Sequence, residues 1–183
     1  SAAGRGIPSA GCTGGSGYIK NCYSSATVID QIANNAGKAG GIIGRVNGNA
    51  SGSSIENCYT SGDINAIGGG NAGGIVGKVD GGKLVIKNCI AWNSMLVSTD
   101  KAKVGRIVGG TANATYENCY AYDGMILKAG EATFTVSDET SPSGSSFQGV
   151  AKSANELKNT VTNWDSSLWK EGGNGYPVFK WSK

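Results

Sequence analysis

Ile55-Glu56-Asn57-Cys58-Tyr59, followed by Gly73-Gly74-Ile75-Val76-Gly77, is the stretch whose reading decides the fold, because both halves recur along the chain. The first half returns as Ile19-Lys20-Asn21-Cys22-Tyr23, Ile86-Lys87-Asn88-Cys89-Ile90 and Tyr116-Glu117-Asn118-Cys119-Tyr120. The second returns as Gly40-Gly41-Ile42-Ile43-Gly44 and, less perfectly, Gly105-Arg106-Ile107-Val108-Gly109. The cysteines are separated by 36, 31 and 30 residues and the glycine motifs by 33 and 32, so one period covers both. A fixed period of this size belongs to a solenoid or a propeller.

Within a period there are three strand-like runs and no convincing helical one: Ser54 to Tyr59, Asp63 to Ile67 and Gly74 to Val79, each bounded by Gly, Asn or Ser. A propeller blade needs four hairpin-linked strands, whereas three strands suit one coil of a β-helix in which each strand pairs with its equivalent one coil later. Parallel crossovers prefer one hand, so the coil should be right-handed. The expected fold is all-β, a right-handed parallel β-helix of three to four coils with a small C-terminal cap containing a short helix.

Stacking the copies places Lys20, Glu56, Lys87 and Glu117 side by side with alternating charge. Each exposed pair contributes only tenths of a kcal/mol, so the alternation acts mainly on register. Asn21, Asn57, Asn88 and Asn118 would superpose as a ladder of mutually bonded amides, and Asn also tolerates the left-handed backbone of a strand bend. Cys22, Cys58, Cys89 and Cys119 would form a second column of buried, reduced thiols, since parallel side chains at strand spacing are poorly placed for disulfides. Cys12 lies outside that column and could pair with Cys22.

The paired Gly-Gly-Ile-Ile-Gly and Ile-x-Asn-Cys-Tyr segments resemble the GLUG repeat of bacterial extracellular proteins, over roughly residues 18 to 127. GLUG repeats occur in surface and adhesin-like proteins and as accessory regions of secreted immunoglobulin A peptidases. The resemblance therefore implies export, an extracellular or cell-surface location and a β-helical region, without implying an activity. The third glycine motif departs from the pattern at Arg106, and the fourth copy lacks the motif, as an incomplete last coil would.

The rest of the composition narrows the function. The 183 residues carry 31 glycines, 3 prolines and a net charge of +3 without a basic stripe, which argues against nucleic-acid binding. No apolar run is long enough to span a bilayer, so no membrane insertion is expected of this segment. Ser1-Ala2-Ala3-Gly4-Arg5-Gly6 has neither an initiator Met nor a signal peptide's apolar stretch, as expected of a chain trimmed at its front. Histidine is absent, which removes the commonest general base and metal ligand. No cofactor and no metal are expected.

An enzyme acting on polysaccharides, a lyase or glycoside hydrolase, is the alternative, with Asp30, Asp63 and Asp123 as acids and Arg45, Lys78 or Arg106 in support. Val79-Asp80-Gly81-Gly82 offers a single carboxylate, too few oxygen ligands for calcium. The sequons Asn49-Ala50-Ser51 and Asn113-Ala114-Thr115 fall between coils.

Residues 1–17 read as a lead-in or partial coil, 18–130 as the repeats, and 131–183 as a Ser/Thr-rich excursion followed by a Trp-rich cap. Ser153-Ala154-Asn155-Glu156 has capping-box spacing, with Leu157 and Val161 on one face of a helix from Ala154 to about Thr160. Trp164, Trp169, Tyr176 and Trp181 then serve either to cover the open end of the solenoid or to bind a ligand. The main expectation is a non-catalytic, adhesin-like module whose partner is a surface glycan or a host protein.

Overall fold

The structure, a computed structural model, describes residues 17–34, 36–46, 52–81, 83–110, 114–140, 147–162, 164–173 and 175–182. The chain winds into a β-solenoid of three full turns and part of a fourth, its strands stacked in five columns. Sheet A holds Tyr18–Lys20, Ser53–Glu56, Leu84–Lys87 and Ala114–Glu117. Sheet B holds Tyr23–Ser24, Tyr59–Thr60, Ile90–Ala91, Tyr120–Tyr122 and Val150–Lys152. Sheet C holds Val28–Asp30, Ile64–Ala66, Met95–Ser98 and Ile126–Ala129, all parallel, and closes with the antiparallel Ala132–Phe134.

Sheet D is Lys38–Gly40, Asn71–Gly73 and Val104–Gly105. Sheet E is Ile43–Val46 and Val76–Val79, extended by a parallel bridge from Val76 to Val108.

The coil alignment expected from the motifs is the observed register: Ile19 pairs with Ile55, Ile55 with Ile86 and Ile86 with Tyr116. A coil has five strands rather than three, because one expected run is bent in the middle and a further strand lies just before another. Asn21, Asn57, Asn88 and Asn118 all have positive φ, between 49° and 54°, and each breaks its run into a sheet A and a sheet B strand. The glycine motif joins a sheet D strand, Asn71–Gly73, which the sequence reading did not foresee, to the sheet E strand Val76–Val79 inside the expected run. A β-carbon on Gly44 would come within 2.5 Å of the Lys38 carbonyl, so these two sheets approach as closely as they do only because the motif lacks side chains.

Inside the coil, Ile55, Ile86, Cys58, Cys89, Ile75, Ile107 and their neighbours form one apolar column, and Ile64, Leu96, Ala72 and Val104 a second. Sheets D and E end at the motif that contains Arg106, while sheets A, B and C continue. At the preceding motif Gly74 packs against the Arg106 carbonyl and Ala91, leaving no room for a β-carbon. Arg106 faces the segment after the last coil and grips it: its guanidinium donates to the carbonyls of Gln148 and Gly149 at 3.0 and 2.8 Å and to Asp138 at 2.7 Å. The irregular motif is a terminator.

The end of the solenoid is covered by residues read from sequence as an excursion. Phe147 bridges Val108 and lies tilted against Tyr116, centroids 3.8 Å apart, and Val150–Lys152 adds a strand to sheet B. The capping box forms, with Glu156 accepting from the Ser153 backbone at 2.9 Å and hydroxyl at 2.6 Å, and the helix runs Ala154–Thr162. Leu157 and Val161 are fully buried.

Candidate functional site

The helix does not lie over the open end. With the hairpin Trp169–Glu171 and Pro177–Phe179, it turns back along the outer face of sheet B. That face was prepared by the residue after each Asn-Cys pair, since Tyr23, Tyr59, Ile90 and Tyr120 point outward where the bend reverses the pleat. Tyr23 stacks on Tyr59 at 5.3 Å with an interplanar angle of 6°. Trp169 and Phe179 pack against these rings, and Trp92 meets Tyr176 edge-on at 4.8 Å. The Tyr59 hydroxyl donates to the Pro177 carbonyl, and burial holds the phenol well above its ordinary pKa.

The four aromatic residues proposed from sequence as ligand contacts are therefore gathered into one cluster but differ in what they offer. Trp169 is 2% exposed and presents no face to a ligand, which corrects that expectation: it is the centre of the flank's packing. Trp164, edge-on to Trp169 at 5.9 Å, and Tyr176 are half-buried. Trp181 is 66% exposed and lies parallel to Phe179, centroids 4.5 Å apart at 7°. Phe179 in turn stacks on Trp169 at 4.5 Å, so a continuous run of rings leads from Tyr59 through Trp169 and Phe179 to an open indole. Sequence reasoning missed Tyr23, Tyr59 and Trp92, although the aromatic residue repeated after Asn-Cys was a usable signal.

The asparagine and charge columns are joined from coil to coil. Asn57 donates to Asn21 at 3.2 Å, Asn88 to Asn57 at 3.0 Å and Asn118 to Asn88 at 3.1 Å. Lys20 pairs with Glu56 at 2.9 Å and Lys87 with Glu117 at 3.0 Å. Cys22, Cys58, Cys89 and Cys119 are free thiols, the first half-buried on the outermost coil and the others buried. Cys12, and with it the suggested Cys12 to Cys22 disulfide, lies outside the described residues, as do Asn49 and Asn113.

The cysteine column is not purely apolar. Each Sγ meets the carbonyl two residues before it, and those of Cys58, Cys89 and Cys119 also meet the carbonyls of Ile19, Ile55 and Ile86 one coil below, at 3.9, 3.5 and 3.4 Å. Burial pushes the Cys119 thiol up to about 12 and Cys89 well above its ordinary value, so neither is a nucleophile near neutral pH.

The acids proposed for the enzyme reading are dispersed over three coils. Asp30 pairs in register with Ala66, Asp63 precedes Ile64, whose partner is Val28, and Asp123 follows the sheet B strand of the last coil. Asp30 borders a hollow of about 940 Å³ in the first coil, lined also by the core-facing Ile19, Cys22, Val28 and Ile42, but Asp63 and Asp123 do not. Its Oδ1 accepts from the Ile32 backbone at 3.0 Å. Among the described residues no group of three or more His, Cys, Asp or Glu side chains could hold a metal ion, and no helix is long and apolar enough to cross a membrane.

A search of solved structures finds a likeness to a crystal structure described as a putative immunoglobulin A1 protease from Bacteroides ovatus, 38% identical, with a TM-score of 0.69. The match covers 91% of this chain and 58% of that one, so it takes in the solenoid as a whole, while this chain spans little more than half the length of the other. No protein-family model and no curated protein matches the sequence.

Proposed function

We propose that the chain is a non-catalytic, adhesin-like module of an exported bacterial protein, built of GLUG-type coils, which binds a glycan through the aromatic flank. The observation that carries this reading is Trp181: a flat, open indole at the end of a stack of rings anchored to a rigid solenoid suits the apolar face of a sugar ring. The Bacteroides protein supports an exported setting, in which this module serves as an accessory region of a longer chain. The polysaccharide-active enzyme is disfavoured by the scatter of Asp30, Asp63 and Asp123, since glycoside hydrolysis needs two carboxyl groups within about 5 to 9.5 Å across one cleft.

The test is a glycan and host-protein binding array with wild type beside Trp181→Ala, Trp164→Ala and Tyr176→Ala. Binding that Trp181→Ala lowers at least tenfold, with an unchanged melting temperature, supports the proposal. Equal binding by wild type and all three variants assigns the aromatics to packing alone. Reproducible turnover of a polysaccharide, lost on replacing one of the three aspartates, would favour the enzyme.

A further inference from the structure

A second surface lies where the glycine motif folds sheets D and E against each other. Arg45 and Lys78 are in register on the two strands of sheet E. Lys38 opens the first strand of sheet D, in register with Asn71, and Lys103 immediately precedes Val104 one coil further on. Asp80 is shared between Arg45 and Lys78, the latter at 2.5 Å. Lys38 donates to the carbonyls of Ala36 and Gly37, each at 2.9 Å, and Lys103 to that of Gly69 at 3.0 Å.

Asp30 lies against Gly37, beside Lys38, so four cations and two carboxylates leave two positive charges on this surface. The cations act on one another: the Lys38 ammonium is held below its ordinary pKa by burial first, then by Lys78, with Arg45 and Lys103 in the same sense and Asp80 opposing. Beside them is exposed apolar surface. Ile29, Ile32 and Ile67 are each at least 50% exposed, and the Gly69 carbonyl that receives Lys103 is two residues from Ile67.

We infer that this ridge binds a linear acidic polysaccharide bearing carboxylate or sulfate groups. The cations follow the solenoid axis at the strand spacing, so Lys38 and Lys103, two coils apart, are about 10 Å from each other. An extended polymer with regularly repeated anions matches that spacing, and the isoleucines offer its rings an apolar bed. Two net charges release too few counterions to hold a nucleic acid at physiological salt. The ridge belongs to sheets D and E and the aromatic flank to sheet B, so this inference stands or falls independently of Trp181.

The experiment measures binding of the full chain to polygalacturonate, dextran sulfate, neutral dextran and phosphatidylglycerol vesicles. Expected are binding to polygalacturonate or dextran sulfate that weakens about tenfold between about 50 and 200 mM salt, a further loss of about tenfold in the Lys38→Gln/Lys103→Gln variant, and no change in Lys158→Gln. Lys103→Gln alone, whose lost contact is one surface hydrogen bond, gives the same reading if the double variant fails to fold. Equal affinity for neutral dextran, preference for the vesicles, or unchanged binding by both ridge variants overturns the inference.

Discussion

The side-chain amide of Asn57 donates to Asn21 at 3.2 Å, joining two coils through residues that also bend the backbone at positive φ. Ladder and bend are separable by substitution. Asn57→Gly keeps the bend and loses the ladder, including the bond received from Asn88, and should cost about 1 to 2 kcal/mol. Asn57→Ala loses both and should cost about 1 to 2 kcal/mol more, because a β-carbon is disfavoured in the left-handed region. Urea unfolding of the two variants measures the difference; equal costs would show that the bend makes no demand of its own.

The thiol column should be silent in the native protein. Reagent at neutral pH should find little reaction at Cys58, Cys89 and Cys119, and denaturation without reductant should release at least the four described thiols. Because Cys58 already faces the carbonyls of Glu56 and Ile19, Cys58→Ser finds acceptors for its hydroxyl and should cost about 1 kcal/mol rather than the penalty of an unpaired one. The column also makes stability depend on pH. A thiol whose folded pKa is raised favours the fold while it stays protonated, so the Cys119 contribution is fully present below its ordinary value of 9.0 and is lost as pH rises toward about 12. Melting temperature should fall over that range, and Cys119→Ala should flatten the fall.

Much of this architecture was legible because it repeats or is local. Register, the Asn ladder and the Lys20 to Glu56 pairing follow from one period, and the Ser153 to Glu156 box lies within four residues. Less legible was anything that depends on the chain returning to itself. Nothing near Trp169 says that it will lie against Tyr23, almost a whole chain away, so the tail, read either as a cover for the solenoid's end or as a ligand surface, gave no sign that it packs along sheet B. Arg106 read as a decayed repeat, since its role is visible only once Asp138, Gln148 and Gly149 are beside it.

The terminator is testable through its ion pair. Arg106 holds the Asp138 carboxyl below the usual carboxylate range, a contribution present above the unfolded pKa and lost as pH falls through the folded one. Asp138 is half exposed, so Asp138→Asn should cost no more than about 1 kcal/mol. Arg106→Gly restores the motif but abandons the carbonyls of Gln148 and Gly149, and should cost about 2 to 3 kcal/mol. Chemical denaturation at about pH 7 and pH 3 separates the two: the Asp138→Asn penalty should shrink in acid and most of the Arg106→Gly penalty should remain.

Glycine substitutions distinguish positions where the fold needs no side chain from those where glycine is incidental. A β-carbon at Gly74 would collide with the Arg106 carbonyl and come within 2.6 Å of the Asn93 side chain. Asn93 is itself fully buried, donating to the Gly62 carbonyl at 2.5 Å and accepting from Thr60 at 3.0 Å, so it cannot move aside without breaking both bonds. Gly74→Ala should therefore cost about 3 kcal/mol or more, the upper end for overpacking, because backbone and a bonded side chain must both shift. Gly173, in the turn of the tail hairpin, has nothing within 4 Å of such an atom and no positive φ. Gly173→Ala should be neutral or stabilise by up to about 1 kcal/mol through the less flexible unfolded chain. Thermal melts of the two variants decide it: a Gly74→Ala protein as stable as Gly173→Ala would mean that Gly74 is not packed against the Arg106 carbonyl and Asn93 as closely as described.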